Sequence, residues 1–147
     1  MRDVMEELYQ EIILDHYRCP RHKNCCPDCG VRVHQDNPLC GDDITLGVEL
    51  EHGTIARIGF EGQGCAISQA SASMMAESVK GQSVERALEL GETMRRMMHG
   101  EAPDEDLGDL MALQGVAKFP VRVKCALLPW TAMRQALTAA MADGGHA

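Results

Sequence analysis

A chain of 147 residues that is 45% hydrophobic has enough apolar material for one packed domain, residues 1–147, and its 3% aromatic content with ten Met points to an aliphatic, adaptable core. A formal charge of −8 argues against a phosphate-binding surface and the scarcity of rings against base-stacking platforms, so no nucleic-acid partner is expected. The start Met1-Arg2-Asp3-Val4-Met5-Glu6-Glu7 lacks the basic and apolar regions of a secretion signal and no stretch reaches membrane-spanning length, so a cytoplasmic protein without membrane contact is expected.

Met5, Leu8, Tyr9, Ile12, Ile13, His16 and Tyr17 recur at three- and four-residue spacing between acidic residues and predict an amphipathic helix ending near Pro20. His16 on its apolar face reads as a satisfied core or cap-region histidine rather than a metal ligand. From Arg18 to Asp43 the periodicity is lost, and Pro20, Pro27, Gly30 and Pro38 predict mostly loop. Seven Cys without an export signal fit metal or redox use better than a disulfide framework, and four of them, Cys19, Cys25, Cys26 and Cys29, fall in this loop. The Cys26-Pro27-Asp28-Cys29 spacing suits a metal ion or a redox disulfide, so a second metal site that also draws on His22 stands beside ordinary thiols or a labile disulfide.

Ile44, Leu46, Val48 and Leu50 alternate with polar residues as a half-buried strand, His52-Gly53 makes a turn, and Thr54 to Glu61 returns as its antiparallel partner. Because a hairpin brings its outer ends together, Cys40, Asp42 and Cys65 are able to converge. Cys65 opens a helix carrying Ile67, Ala70, Ser71, Met74, Met75 and Ser78 and stopped by Gly81, and the positive helix end there favours its thiolate. Ser83 caps another helix, with Val84, Ala87, Leu88, Gly91, Met94, Arg95 and Met98 along one side and Gly100 as stop. Its Met94, Met97, Met98 group reads as core, with a docking surface as the alternative.

Glu101 to Asp109 reads as a solvated acidic connection able to steer a basic partner. A short helix follows over Leu110 to Gly115, then a break at Phe119-Pro120. Cys125 is expected at the start of a last helix whose apolar face is Leu127, Leu128, Trp130, Met133, Leu137 and Met141, with Pro129 in the first turn and Arg122 and Lys124 favouring the Cys125 thiolate. The Gly144-Gly145-His146-Ala147 tail is expected to fray. Three thiolates and a carboxylate, from Cys40, Asp42, Cys65 and Cys125, make a complete ligand set for zinc or an iron-sulfur cluster. Asp42 reads either as a turn residue at the strand entry or as the hardest and weakest of the four ligands, where the site would open.

Three motifs carry a resemblance that covers nearly the whole chain: Asn37-Pro38-Leu39-Cys40-Gly41-Asp42, Gly62-Gln63-Gly64-Cys65-Ala66-Ile67 running on to Ser71-Ala72-Ser73-Met74-Met75, and Arg122-Val123-Lys124-Cys125-Ala126-Leu127. In these the chain resembles the U-type iron-sulfur cluster assembly proteins. The resemblance implies an α+β fold, a small antiparallel sheet packed against several helices, with zinc or a [2Fe-2S] cluster held by Cys40, Asp42, Cys65 and Cys125. It also implies a pyridoxal-phosphate cysteine desulfurase as partner and downstream iron-sulfur acceptors.

Lys124 before the last Cys and the long Gly100 to Pro120 passage are similar to the SufU-like branch rather than the IscU-like scaffolds. That branch implies a zinc-dependent sulfurtransferase in which a desulfurase group takes over a zinc position and Cys40 is freed to attack the enzyme persulfide. Asp43 stands where the branch usually has Arg, and the Cys19 to Cys29 cluster is foreign to the common pattern. Sulfur transfer, cluster scaffolding and a plain zinc-stabilised interaction domain are thus the three functional readings.

Overall fold

The computed structural model describes residues 4–38 and 40–142; Leu39, the side chain of Met5 and the Gly144–Ala147 tail lie outside the described residues. Helix α1, Val4–Arg18, is followed by strands β1, Val31–Asn37, β2, Asp42–Glu51, and β3, Thr54–Gln63. Helices α2, Ala66–Val79, and α3, Val84–Met98, a 3-10 helix over Gly108–Lys118 and the long helix α4, Pro120–Ala142, complete the order. No helix is long and apolar enough to cross a membrane.

The three strands form one antiparallel sheet in the order β1-β2-β3, as the α+β reading requires. Ile44, Leu46 and Val48 of β2 and Ile58 and Phe60 of β3 are at most 2% exposed and turn to the helices, where α4 lies on β1 and β2 with α2 and α3 beside it. The intervening residues Thr45, Gly47 and Glu49 lie on the opposite face, the period-two alternation of a strand, and of these Gly47 is buried while Glu49 is exposed. His52 (φ +54°) and Gly53 (φ +74°) make the expected turn, and a bulge at Glu49/Leu50 offsets the register beside it.

Several expectations are corrected. The stretch from Arg18 to Asp43 is loop for the most part, as expected, but it also holds a strand the sequence reading missed: Val31–Asn37 pairs with β2 along its whole length, Val31 opposite Val48 and Asn37 opposite Asp42. Val31, Val33 and Gln35 are half-buried while Arg32, His34 and Asp36 are exposed, an alternation visible in the residues but short and flanked by turn formers. Cys125 lies in the second turn of α4 rather than at its start, and Pro129 is in the helix interior. There Pro129 has no N–H to offer the Cys125 carbonyl four residues back.

Leu8, Tyr17 and Met141 are 50%, 45% and 52% exposed, so they belong to the rims of α1 and α4 rather than to their buried faces. Leu90 takes the core place expected of Leu88, and Met94, Met97 and Met98 are buried, which removes them as a docking surface. The Ser83 cap is present, its hydroxyl accepting from the Arg86 amide at 3.1 Å.

His16 is a core histidine, as expected. Its Nδ1 meets Ser73 Oγ and its Nε2 meets Asp109 Oδ2, both at 2.8 Å, and since a carboxylate only accepts, Nε2 carries a proton. Ser73 Oγ also accepts from the Arg21 amide at 2.8 Å. One imidazole thereby joins α1, α2 and the 3-10 helix.

Candidate metal centre

The centre is assembled where β1 hands over to β2. The Cys40 amide donates to the Asn37 carbonyl at 3.1 Å, closing a turn, and Gly41 at φ +68° carries the chain through a conformation that a side chain would oppose. Asp42 then enters β2 opposite Asn37 with its side chain inward, only 2% exposed. The donor atoms of Cys40, Asp42 and Cys125 all lie within 4.8 Å of one another.

Cys65 is the N-cap of α2. Its amide and the Ser68 hydroxyl both donate to Asp42 Oδ1, at 2.9 and 3.0 Å, so the carboxylate takes the capping role that the Cys65 side chain does not fill. The approach is close enough to require Gly64, where a Cβ would meet Asp42 Oδ1 at 2.5 Å and Ser68 Oγ at 2.6 Å. The Cys65 thiol stands beside the other three donors and outside their common 4.8 Å distance. It faces Arg122, whose guanidinium pKa is raised by the Cys65 thiolate first and by Cys125 and Cys40 after it.

Electrostatics around Cys125 run opposite to the sequence expectation. Burial pushes its thiol pKa up, and Asp42, Cys40 and Cys65 beside it push it further, so Arg122 and Lys124 do not deliver a free thiolate. Adjacency in the chain was misleading: on α4 the Arg122 side chain turns to Cys65, leaving Cys125 under the sheet edge with the Asn37 amide 3.9 Å away.

Asp42 Oδ2 is buried and has no hydrogen-bond partner. A buried acceptor without a donor is costly, and so are thiols crowded against a carboxylate; a cation among them answers both. Sulfur and single-oxygen donors in tetrahedral number fit zinc. Cys40 also opens onto a recess of about 630 Å³ walled by Phe119, Pro120, Val121 and Arg122, with Phe119 and Val121 61% and 59% exposed. Of these wall residues, Phe119 and Pro120 were read in the sequence only as a helix break.

His16, Glu77 and Asp109 form a second set of donors within 4.8 Å. Both His16 nitrogens are already bonded, and Arg21 lies 3.8 Å from Glu77, so the positive charge there is supplied by the chain itself. In the Cys19 to Cys29 segment the structure joins Cys26 to Cys29 in a disulfide and leaves Cys19 and Cys25 free and exposed.

Comparison with known proteins gives a consistent picture. Residues 8–126 match the family model described as NifU-like N terminal domain. A Bacillus subtilis protein named zinc-dependent sulfurtransferase SufU is 44% identical over 144 residues, 97% of this chain and 96% of its own. A Streptococcus pyogenes protein named iron-sulfur cluster assembly scaffold protein IscU is 40% identical over 135 residues, 90% of this chain and 84% of its own. Among solved structures, a candidate iron-sulfur cluster assembly scaffold protein for the SUF system from Fervidobacterium islandicum superposes with a TM-score of 0.80 at 35% identity, covering 89% of this chain and 97% of that one.

Proposed function

Since the chain belongs to the NifU-like N-terminal domain family, we propose that it is an iron-sulfur cluster assembly protein that accepts persulfide sulfur on Cys40 from a cysteine desulfurase in the cytoplasm. The observation that carries the reading is the buried, unpartnered Asp42 Oδ2 set against Cys40 and Cys125 within 4.8 Å, a donor set made for a cation. Cys40, Asp42, Cys65 and Cys125 would hold zinc, which when bound keeps the thiols deprotonated near neutral pH by its charge.

The chain's own residues divide the remaining work. Cys40 and Cys65 are both half-buried, but Cys40 sits on a turn and lines the open recess, so it is the sulfur an incoming persulfide meets. Its thiolate attacks the outer sulfur of the donor persulfide; the S–S bond of the donor breaks, the donor cysteine leaves as thiolate, and Cys40 keeps the sulfane sulfur as its own persulfide. Cys125, fully buried, and Cys65, fixed at the cap of α2, stay in place, while Arg122 beside Cys65 places a positive charge at the mouth of the recess for the departing thiolate. Phe119 and Val121 supply the apolar rim that excludes water from a docked partner.

The test mixes zinc-loaded protein with a cysteine desulfurase and free cysteine. Faster sulfide release, with a persulfide trapped on Cys40 and lost in Cys40→Ser, is expected. A [2Fe-2S] cluster forming as cargo on addition of iron, without a Cys40 persulfide, would instead favour scaffolding, the role that the names of the IscU relatives carry. No effect in either assay would leave a zinc-stabilised interaction domain.

A further inference from the structure

The Cys26-Pro27-Asp28-Cys29 segment has no part in the centre at Cys40, yet it is seated on the sheet with care. Gly47 of β2 and Gly59 of β3 are paired across the ladder on its outward face, and both are buried by this segment. A Cβ on Gly59 would meet the Cys26 nitrogen at 2.6 Å, and one on Gly47 would meet the Cys26 oxygen at 2.7 Å. The two glycines therefore form a notch that receives the main chain of Cys26.

Anchors on either side of the notch owe nothing to sulfur. The Asn24 amide donates to the Phe60 carbonyl at 2.7 Å and the Phe60 amide to the His22 carbonyl at 3.2 Å, binding the segment to the free edge of β3. Arg57 reaches Asp28 at 2.7 Å and Arg32 reaches the Pro27 carbonyl at 3.2 Å. A disulfide that spans two residues constrains an unfolded chain least of all, so as a clip it adds little to a segment already held this well. Its position next to a free thiol gives it a different use: Cys26 and Cys29 are each 4% exposed, whereas Cys25, adjacent in the chain, is exposed.

We propose that Cys25, Cys26 and Cys29 form a second, thiol–disulfide exchange site that takes two electrons from an external dithiol, with Cys25 as the entry thiol for a buried pair seated on the Gly47/Gly59 notch. The Cys25 thiolate attacks the Cys29 sulfur, forming a Cys25–Cys29 bond and releasing Cys26 as thiolate, which takes up a proton. The dithiol's first thiolate attacks the exposed Cys25 sulfur, freeing Cys29. Its second thiolate then closes on the first, so that Cys25 leaves as thiolate and the dithiol departs as a disulfide. In sum one protein disulfide is reduced and one dithiol oxidised, and the main-chain seat keeps the reduced pair in register for the return reaction. This site stands independently of the sulfur-transfer reading.

The experiment uses the full zinc-loaded chain and dithiothreitol as the dithiol, with alkylation and mass spectrometry counting thiols against time. The expected result is that Cys26 and Cys29 gain label together while circular dichroism and zinc content stay unchanged, and that Cys25→Ser slows this by about tenfold or more while leaving the equilibrium midpoint in a dithiothreitol redox buffer where it was. A pair that becomes labelled only when the fold is lost would overturn the proposal in favour of a clip. So would Cys25→Ser reduced at the wild-type rate, or a pair that stays as thiols in oxidised buffer. A Cys26→Ser/Cys29→Ser protein should still accept sulfur on Cys40, so failure of either idea is distinguishable from failure of the other.

Discussion

The two oxygens of Asp42 have different surroundings, Oδ1 accepting from the Cys65 amide and Ser68 while Oδ2 is buried without a donor. Asp42→Asn keeps a carbonyl oxygen for the cap of α2 and removes the anion, so it should fold normally and exchange zinc faster; an unchanged exchange rate and stoichiometry would take Asp42 out of the centre. Asp42→Ala should show the same exchange defect and, having lost the cap contacts, a further loss of about 1–2 kcal/mol in stability. Cys125 allows a prediction with a sign. Its folded pKa is raised above the ordinary 9.0, so the metal-stripped protein keeps this contribution below that value and loses it as pH rises through the alkaline range, whereas zinc, which needs thiolates, binds more tightly as pH rises. Chemical denaturation at pH 7 and pH 10, with and without zinc, checks both; a metal-stripped protein more stable at pH 10 would contradict it. At this scale the sequence named Cys40, Asp42, Cys65 and Cys125 through their motifs. It misled on charge, because Arg122, one turn before Cys125 on α4, reaches first to Cys65, and the burial of Cys125 outweighs the positive charge near it.

Elements were legible in proportion to the length of their pattern. The α1, β2–β3, α2 and α3 segments carry long periodic runs or clear caps, and their ends fall close to the expected ones. β1 was hidden because its alternation lasts only from Val31 to Asn37 and its polar members are charged, as suits an edge strand. Pro129 suggested an early position in its helix by the usual preference, but α4 begins at Pro120 and tolerates a second proline at its centre, where Trp130 next to it donates to Ser71 Oγ at 3.1 Å and Ser71 Oγ donates to the Ala126 carbonyl at 2.6 Å. The join between α1 and the rest depends on His16, which is 0% exposed and bonded at both nitrogens. His16→Ala should cost about 2–4 kcal/mol, from the cavity and the stranded Ser73 and Asp109 contacts, and leave zinc stoichiometry unchanged. Zinc loss at native temperature in that variant would mean that His16 serves the centre instead.

The whole molecule places its helices on one side of a three-stranded sheet and the Cys26 segment on the other, so both faces are covered although the sheet is small. We propose that residues 1–147 behave as one domain. The metal-stripped protein should then unfold in a single transition, and free zinc at about a thousand times its Kd should add about 4 kcal/mol, a rise of roughly 10 °C in Tm; two separate transitions in calorimetry would refute the single domain. The aliphatic core expected from composition is present, with Met74, Met75, Met94, Met97 and Met133 all at most 1% exposed. Topology of this kind was readable only through the resemblance, since spacing alone does not say which side of a sheet a helix takes.

Cys40 belongs to a strand connection, Cys65 to a helix cap and Cys125 to the second turn of the last helix, so no stretched polypeptide holds their sulfurs together. If zinc is held there, a zinc-sensitive dye would for that reason act as a reporter of nativeness: colour would develop at once from molecules that have come apart and slowly from folded ones, so a preparation could be graded for its correctly assembled fraction in a cuvette, with no label attached to the protein.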